Sequence, residues 1–203
     1  MPYPTAEIRW FSNEESHLWQ VYREIRPEGK GLQEQVRTDY YLLSGTENTG
    51  IKVREGNHEW KLKFKPDEQR EYGLIQYWKK WSTEEEQNIL KSIDKELLGD
   101  WIEVRKQRFK KQYEILDDRQ IRPSKSSSVK NGCDLEFTTV RLPLYDIEVF
   151  TIGLETFGEI RDLDVQLLSV LNEFEQELSL LKSLPSQGYA EWLKTIDTST
   201  SNA

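Results

Sequence analysis

The sequence predicts an α+β protein, an antiparallel β-barrel or tunnel with helices packed on its outside, including a long helix near the C-terminus. Three observations carry this. Segments in which apolar and polar residues strictly alternate recur from Thr5 to about Leu154, the period of half-buried strands. Leu163, Leu167, Val170, Leu171, Phe174, Leu178 and Leu181 then repeat at helical spacing. Finally, the polar faces of the strands carry charges of both signs. Curling those faces inward would enclose a polar tunnel, leaving the apolar faces to pack against helices.

The elements follow in chain order. Thr5 to Phe11 alternates as a strand, and Ser12 with Glu15 forms a capping box for a short helix reaching about Ile25. The segment RPEGKG breaks it. Val36 to Leu43 reads as a second strand and SGTENTG as a loop. The stretch GIKVREGNHEWKLKF then reads as a hairpin turning at Gly56-Asn57, with Lys52, Arg54, Lys61, Lys63 and Lys65 on its cationic face. Residues 66–99 are expected to be a helical insert, with Ser82 or Thr83 capping TEEEQNILKSIDKELL. Trp101 to Ile115 reads as extended, and RPSKSSSVKNG as a polar loop. Two further strands follow, Asp134 to Leu142 and Tyr145 to about Leu154. A C-terminal helix is expected over 160–184, where Pro185 ends it, and a short helix, GYAEWLKTI, comes next. The whole is expected to be a single domain over 1–197 with a flexible tail at 198–203. Trp10, Trp60 and Trp101 lie on apolar faces as anchors for helices, while Tyr40 and Tyr41 fall on opposite faces.

Composition bounds the function. The 203 residues carry a formal charge of -8, which opposes sequence-independent nucleic-acid binding, so any cationic site must be local. No apolar run approaches the roughly 20 residues that span a bilayer, and the N-terminus lacks a signal-peptide pattern, so a cytoplasmic protein without a membrane partner is expected. Cys133 is the sole cysteine, which rules out an intrachain disulfide. No phosphate-binding loop of the G-x-x-x-x-G-K-[ST] type is present, and neither His17 nor His58 has a neighbouring nucleophile pattern. The sequence leaves the oligomeric state open.

The polar strand positions point to phosphate chemistry. Arg9, Arg37, Lys52, Arg54, Lys61, Lys63 and Lys65 supply positive charge, and Glu7, Asp39, Glu59, Glu103, Asp134, Glu136, Asp146 and Glu148 supply negative. Cations that neutralise phosphate oxygens, beside carboxylates that hold a divalent ion, are what a metal-bound polyphosphate requires.

On these residues the chain resembles the CYTH superfamily, the triphosphate tunnel metalloenzymes, and in particular their thiamine-triphosphatase branch. The segments RTDYYLL, IKVRE, HEWKLKF, VRKQRF, CDLEFTTV and GYAEWL follow the order of the family's motifs from about Thr5 to Leu193. The resemblance implies a small phosphate-rich anion, tripolyphosphate or an organic triphosphate, as ligand. Lys52, Arg54, Lys63, Lys106 and Arg108 would contact phosphates, with Arg37 at the mouth and Arg9 and Lys61 on the same cationic faces. It also implies Mg²⁺ or Mn²⁺ held by Glu7, Glu136 and Glu148, with Glu148 positioning water and Lys63 needed for phosphate release. Two points depart from the pattern. The family's E-x-E-x-K becomes Thr5, Glu7 and Arg9, one carboxylate short, and Glu103, Asp146 or Glu155 could supply another. Lys106 and Arg108 share parity with Ile102 and Val104, so they face inward only if a bulge intervenes; otherwise Arg105 does. A metal-dependent triphosphatase, a receptor that retained the cations without turnover, and a scaffold whose charges pair internally are the three readings.

Overall fold

Alternation builds the barrel. The protein is described by a computed structural model over residues 3–25, 33–43, 48–54, 57–84, 101–117, 119–124, 129–159 and 161–200. Its strands are β1 (Tyr3–Ser12), β2 (Gln33–Leu42), β3 (Thr49–Arg54), β4 (Asn57–Arg70), β5 (Gly73–Glu84), β6 (Trp101–Ile115), β7 (Ile121–Pro123), β8 (Gly132–Leu142) and β9 (Ile147–Phe157). They pair in the order β2-β3-β4-β5-β1-β9-β8-β6-β7, and β2 also pairs with β6. That last pairing closes eight antiparallel strands into a barrel, leaving β7 as a short appendage on β6.

Side chains at successive positions face opposite sides of this wall. Outside, Ala6, Ile8 and Trp10 of β1, Leu135 and Phe137 of β8 and Ile152 and Leu154 of β9 form the main core. Covering them are α1 (Glu15–Ile25), α2 (Leu163–Glu173) and α3 (Glu175–Leu178), through Leu18, Val21, Tyr22, Leu167, Val170, Leu171 and Leu178. Burial of each such side chain contributes about 1.5–3 kcal/mol. Trp10 is fully buried there, and its indole N–H donates to the Tyr72 carbonyl at 2.7 Å, so the large ring leaves no unpaired donor. Before α1, the Ser12 hydroxyl accepts the Glu14 N–H at 2.9 Å in a local turn; because Ser12 ends β1 and the helix begins only at Glu15, this bond stands in place of the expected capping box.

Inside, the wall changes character along the barrel axis. At one end Phe11, Tyr41, Ile102, Val104, Val140, Leu142 and Val149 form a second apolar cluster. The final helix, α4 (Tyr189–Thr200), lies against that end and adds Tyr189, Trp192 and Leu193 to it. Trp192 stacks on Phe11 at 5.0 Å between ring centroids, and Tyr189 meets Phe11 edge-on at 5.6 Å. The apolar cluster is therefore a floor, with the polar interior above it.

Several expectations are corrected. Residues 66–70 and 73–84 are strand, not helix: β4 runs through to Arg70, and after a two-residue turn Gly73, at φ +141°, leads the chain into β5. The parity of Gln76, Trp78 and Lys80 against Ile75 and Tyr77 carried that signal in the sequence. The rest of the supposed insert, 85–99, lies outside the described residues. The C-terminal helical region is broken at Phe174 into α2 and α3, followed by a 3₁₀ turn at Ser179–Leu181. α4 continues to Thr200, so 198–200 belong to a helix, not a tail. In β4 the register shifts between Lys63 and Lys65, which moves Lys65 to the outside, where it pairs with Asp164 of α2 at 2.6 Å. Trp60 anchors no helix among the described residues and is 51% exposed. No helix among the described residues is long and apolar enough to cross a membrane.

Candidate functional site

Above the apolar floor the barrel encloses a cavity of about 650 Å³. Ten basic and six acidic side chains line it, a positive surplus in a chain of formal charge -8. The cause is the inward parity of five strands: Glu7 and Arg9 from β1, Arg37 from β2, Lys52 and Arg54 from β3, Glu59 and Lys61 from β4, and Lys106, Arg108 and Lys110 from β6 all project to one side.

Three carboxylates organise most of the cations. Asp39 is completely buried and lies within reach of Arg54 and Lys106, each at 3.0 Å, Arg37 at 3.3 Å and Lys52 at 3.9 Å. Burial alone would raise its carboxyl, but Lys106, Lys52, Arg37 and Arg54 together hold it well below the usual carboxylate range. Glu136 accepts Arg108 at 2.7 Å and meets Arg9 at 3.1 Å. These two arginines overcome its burial and keep it ionised. Glu7 lies 3.4 Å from Lys61 and 3.6 Å from Lys80, and against the effect of burial Lys61, Lys80 and Arg9 draw it down to about 2. Lys80 also pairs with Glu155, and Glu59 bridges Lys52 at 2.8 Å and Arg54 at 3.8 Å.

The cations are incompletely compensated where they share Asp39. Burial pushes Lys52 down to about 8, with Glu59 opposing and the neighbouring Arg54 adding to the fall. Lys106 is pushed well below its ordinary value by burial despite Asp39, with Lys52 and Arg37 reinforcing the shift. Lys106 sits 3.7 Å above the Tyr189 ring, which supplies its electron-rich face where a counter-anion is short. Arg9 lies over the same ring at 4.7 Å and donates to Thr151 at 3.1 Å. Its guanidinium fits because position 153 is glycine: a Cβ there would stand 2.8 Å from the Arg9 Cζ. Gly153→Ala is expected to displace Arg9 and cost about 1–3 kcal/mol, measurable by urea denaturation.

Most of the site residues expected from sequence converge here: Glu7, Arg9, Arg37, Lys52, Arg54, Lys61, Lys106, Arg108 and Glu136 all line the cavity. Lys106 and Arg108 face inward without a bulge, because β6 pairs with β2 and β8 in unbroken register. Ile102 and Val104 also face inward, as part of the floor, whereas Arg105 is outside and pairs with Glu103. Two residues do not join the cavity. Lys63 is buried beside the floor helix, bound by Asp67 at 2.6 Å and Glu191 at 3.3 Å. Glu148 is exposed on the outer face, paired with Arg141, so it cannot position water inside the barrel.

The expected metal set therefore does not assemble. Glu7 and Glu136 each face two basic side chains, and Glu148 is on the far side of the wall. Among the described residues no group of three or more Asp, Glu, His or Cys side chains converges. A hard divalent cation needs several anionic oxygens free of competing cations, and these carboxylates do not provide them. Neither Mg²⁺ nor Mn²⁺ fits this arrangement. Sequence reading also missed residues the structure brings in. Lys80 lay in the supposed helical insert, and Thr151 and Gly153 acquire their roles only through pairing across the barrel; Asp39 was on a polar face in the sequence, but its four cations gather around it only in the barrel.

Neither protein-family models nor curated proteins match the chain in sequence. In three dimensions it is similar to a chain of the Schizosaccharomyces pombe Mediator head module, at 7% identity and a TM-score of 0.39, covering 90% of this chain and 97% of that one. It is also similar to the S. pombe Pct1 RNA triphosphatase, at 12% identity and a TM-score of 0.35, covering 89% and 79% of the two chains. The same triphosphatase in complex with the Spt5 CTD gives a TM-score of 0.29 at 12% identity, over 89% and 81%. Fold and site together define the class: an α+β protein built on a closed eight-stranded antiparallel barrel, floored by a C-terminal helix, with a predominantly cationic interior.

Proposed function

We propose that the barrel is a receptor for a small phosphate-rich anion, tripolyphosphate or an organic triphosphate. The observation that carries this reading is the charge of the cavity: ten basic against six acidic lining residues, with Lys52, Arg54, Arg37 and Lys106 sharing a single buried carboxylate. A cavity of about 650 Å³ falls within the range of about 300–1,000 Å³ usual for small-ligand sites. An entering phosphate chain would supply the negative charge that Asp39 and Glu59 provide only in part.

Metal-dependent hydrolysis, the finer activity implied by the sequence resemblance, is not favoured, since Glu7 and Glu136 are each occupied by two cations and Glu148 lies outside. The internal-scaffold reading is less favoured because it leaves the positive surplus without a use. Calorimetric titration with tripolyphosphate, run beside an assay of phosphate release with and without Mg²⁺ or Mn²⁺, separates the three. A receptor binds without release. Its affinity falls with added salt and drops at least about tenfold in Lys52→Ala. Metal-dependent release that vanishes in Glu7→Ala would replace this reading with a hydrolase, and no binding at all would leave only the scaffold.

A further inference from the structure

Arg37 and Arg108 project from neighbouring strands, and the side-chain carbonyl of Gln35 lies between them. Arg108 Nη2 donates to Gln35 Oε1 at 2.6 Å and Arg37 Nη1 donates to the same oxygen at 3.3 Å. One neutral amide oxygen thus bridges two guanidinium groups. Their remaining donors are poorly served. Arg108 Nε and Arg37 Nε are both buried without a hydrogen-bond acceptor, although Arg37 Nε lies 3.3 Å from Asp39 Oδ1. The nearby carboxylates are already divided, Asp39 among four cations and Glu136 between Arg108 and Arg9. Guanidinium forks are best satisfied by an ionised oxyanion, which accepts several short, charge-assisted bonds at once, whereas an amide oxygen supplies only partial negative charge.

We infer that Gln35 is a neutral placeholder in the anion site: its amide oxygen holds the place between Arg37 and Arg108 that a phosphoryl oxygen of the ligand takes when it binds. The inference rests on the anion-receptor reading and adds a location and a gatekeeping residue to it. A neutral side chain is what makes the exchange feasible, since a carboxylate at position 35 would satisfy both forks permanently. Gln35 also sits at the strand pairing Gln35↔Arg108, which fixes its distance from the second arginine through the backbone.

The test compares tripolyphosphate affinity by calorimetry in the wild type, Gln35→Glu, Gln35→Ala and Gln112→Glu. The last places a carboxyl on the cavity wall away from the two arginines, beside Asp134, which Gln112 bonds at 3.0 Å. Gln35→Glu is expected to bind about 30-fold more weakly while melting no lower than the wild type. Gln35→Ala should bind as tightly as the wild type or tighter, because the bridging oxygen no longer needs displacing, and Gln112→Glu should lose no more than about threefold. Equal losses in the two glutamate variants would reduce the effect to general charge and overturn the inference, as would unchanged binding in Gln35→Glu. If Gln35→Glu fails to fold, Gln35→Ala decides, since a marked loss there makes Gln35 a ligand contact and overturns it as well. A wild-type protein that binds no tripolyphosphate would sink the receptor reading itself, whereas wild-type binding with any of the overturning variant results would sink the Gln35 assignment alone.

Discussion

Replacing Asp39 by alanine is expected to destabilise the protein by about 3–5 kcal/mol, the cost of removing one partner from a buried ion cluster. The carboxylate is completely buried and lies within ion-pairing distance of Arg37, Lys52, Arg54 and Lys106, which come from three strands. Without it, four cations face each other with Glu59 paired to two of them and Glu136 acting on Lys106 and Arg37 only at longer range, and Lys106, already driven toward the neutral form by burial, would give up its proton first. Urea denaturation at pH 7 measures the loss. Tripolyphosphate should restore more stability to Asp39→Ala than it adds to the wild type, since the ligand then supplies the missing negative charge by mass action. Equal stabilisation of both proteins would separate the anion site from the Asp39 cluster, and a loss below about 1 kcal/mol would mean that the cluster does not organise the interior.

Acidification is expected to unfold the protein through the same interior. Glu7 has its folded pKa drawn down to about 2 from an ordinary 4.5, and Asp39, Glu59 and Glu136 are also held low by their cations. The sign follows from linkage. A carboxylate with a depressed folded pKa contributes stability that is fully present above about 4.5 and is lost as the pH falls toward its folded pKa. A shift from 4.5 to about 2 corresponds to about 3 kcal/mol for Glu7 alone. Melting temperature should therefore fall steeply between pH 4.5 and 2, and the fall should be shallower in Glu7→Gln. A flat profile over that interval would contradict the ion pairing. On the alkaline side Lys52 is pushed down to about 8, so tripolyphosphate binding should weaken as the pH rises through 8 and Lys52 loses its charge. Lys52 affects folding in the same sense as Glu7, at higher pH. Its depressed pKa favours the folded state above 10.5, and that contribution is lost as the pH falls through 8.

The fold class and most of the cationic lining are legible in the amino-acid pattern alone. Period-2 alternation is a local property, so Glu7, Arg9, Lys52, Arg54 and Lys61 could each be assigned to the polar face of a strand before any pairing was known. The leucine stripe likewise located the outer helices, though not the break at Phe174.

What alternation cannot carry is how the strands close on one another. Lys106 and Arg108 require a bulge only if Ile102 and Val104 face an outer helix; instead the apolar side of α4 floors the barrel, and all four residues face inward. One strand face can be apolar at one end and cationic at the other, and parity alone does not distinguish that from two opposite faces. The position of Lys63 beside Asp67 and Glu191, the exposure of Glu148 and the outward turn of Lys65 depend on barrel closure, on a bulge and on where α4 lands. Gln35 drew no attention in the sequence because a single glutamine carries no signal. Its place between Arg37 and Arg108 comes from the β2–β6 pairing of residues 73 positions apart, which exists only once the barrel has closed.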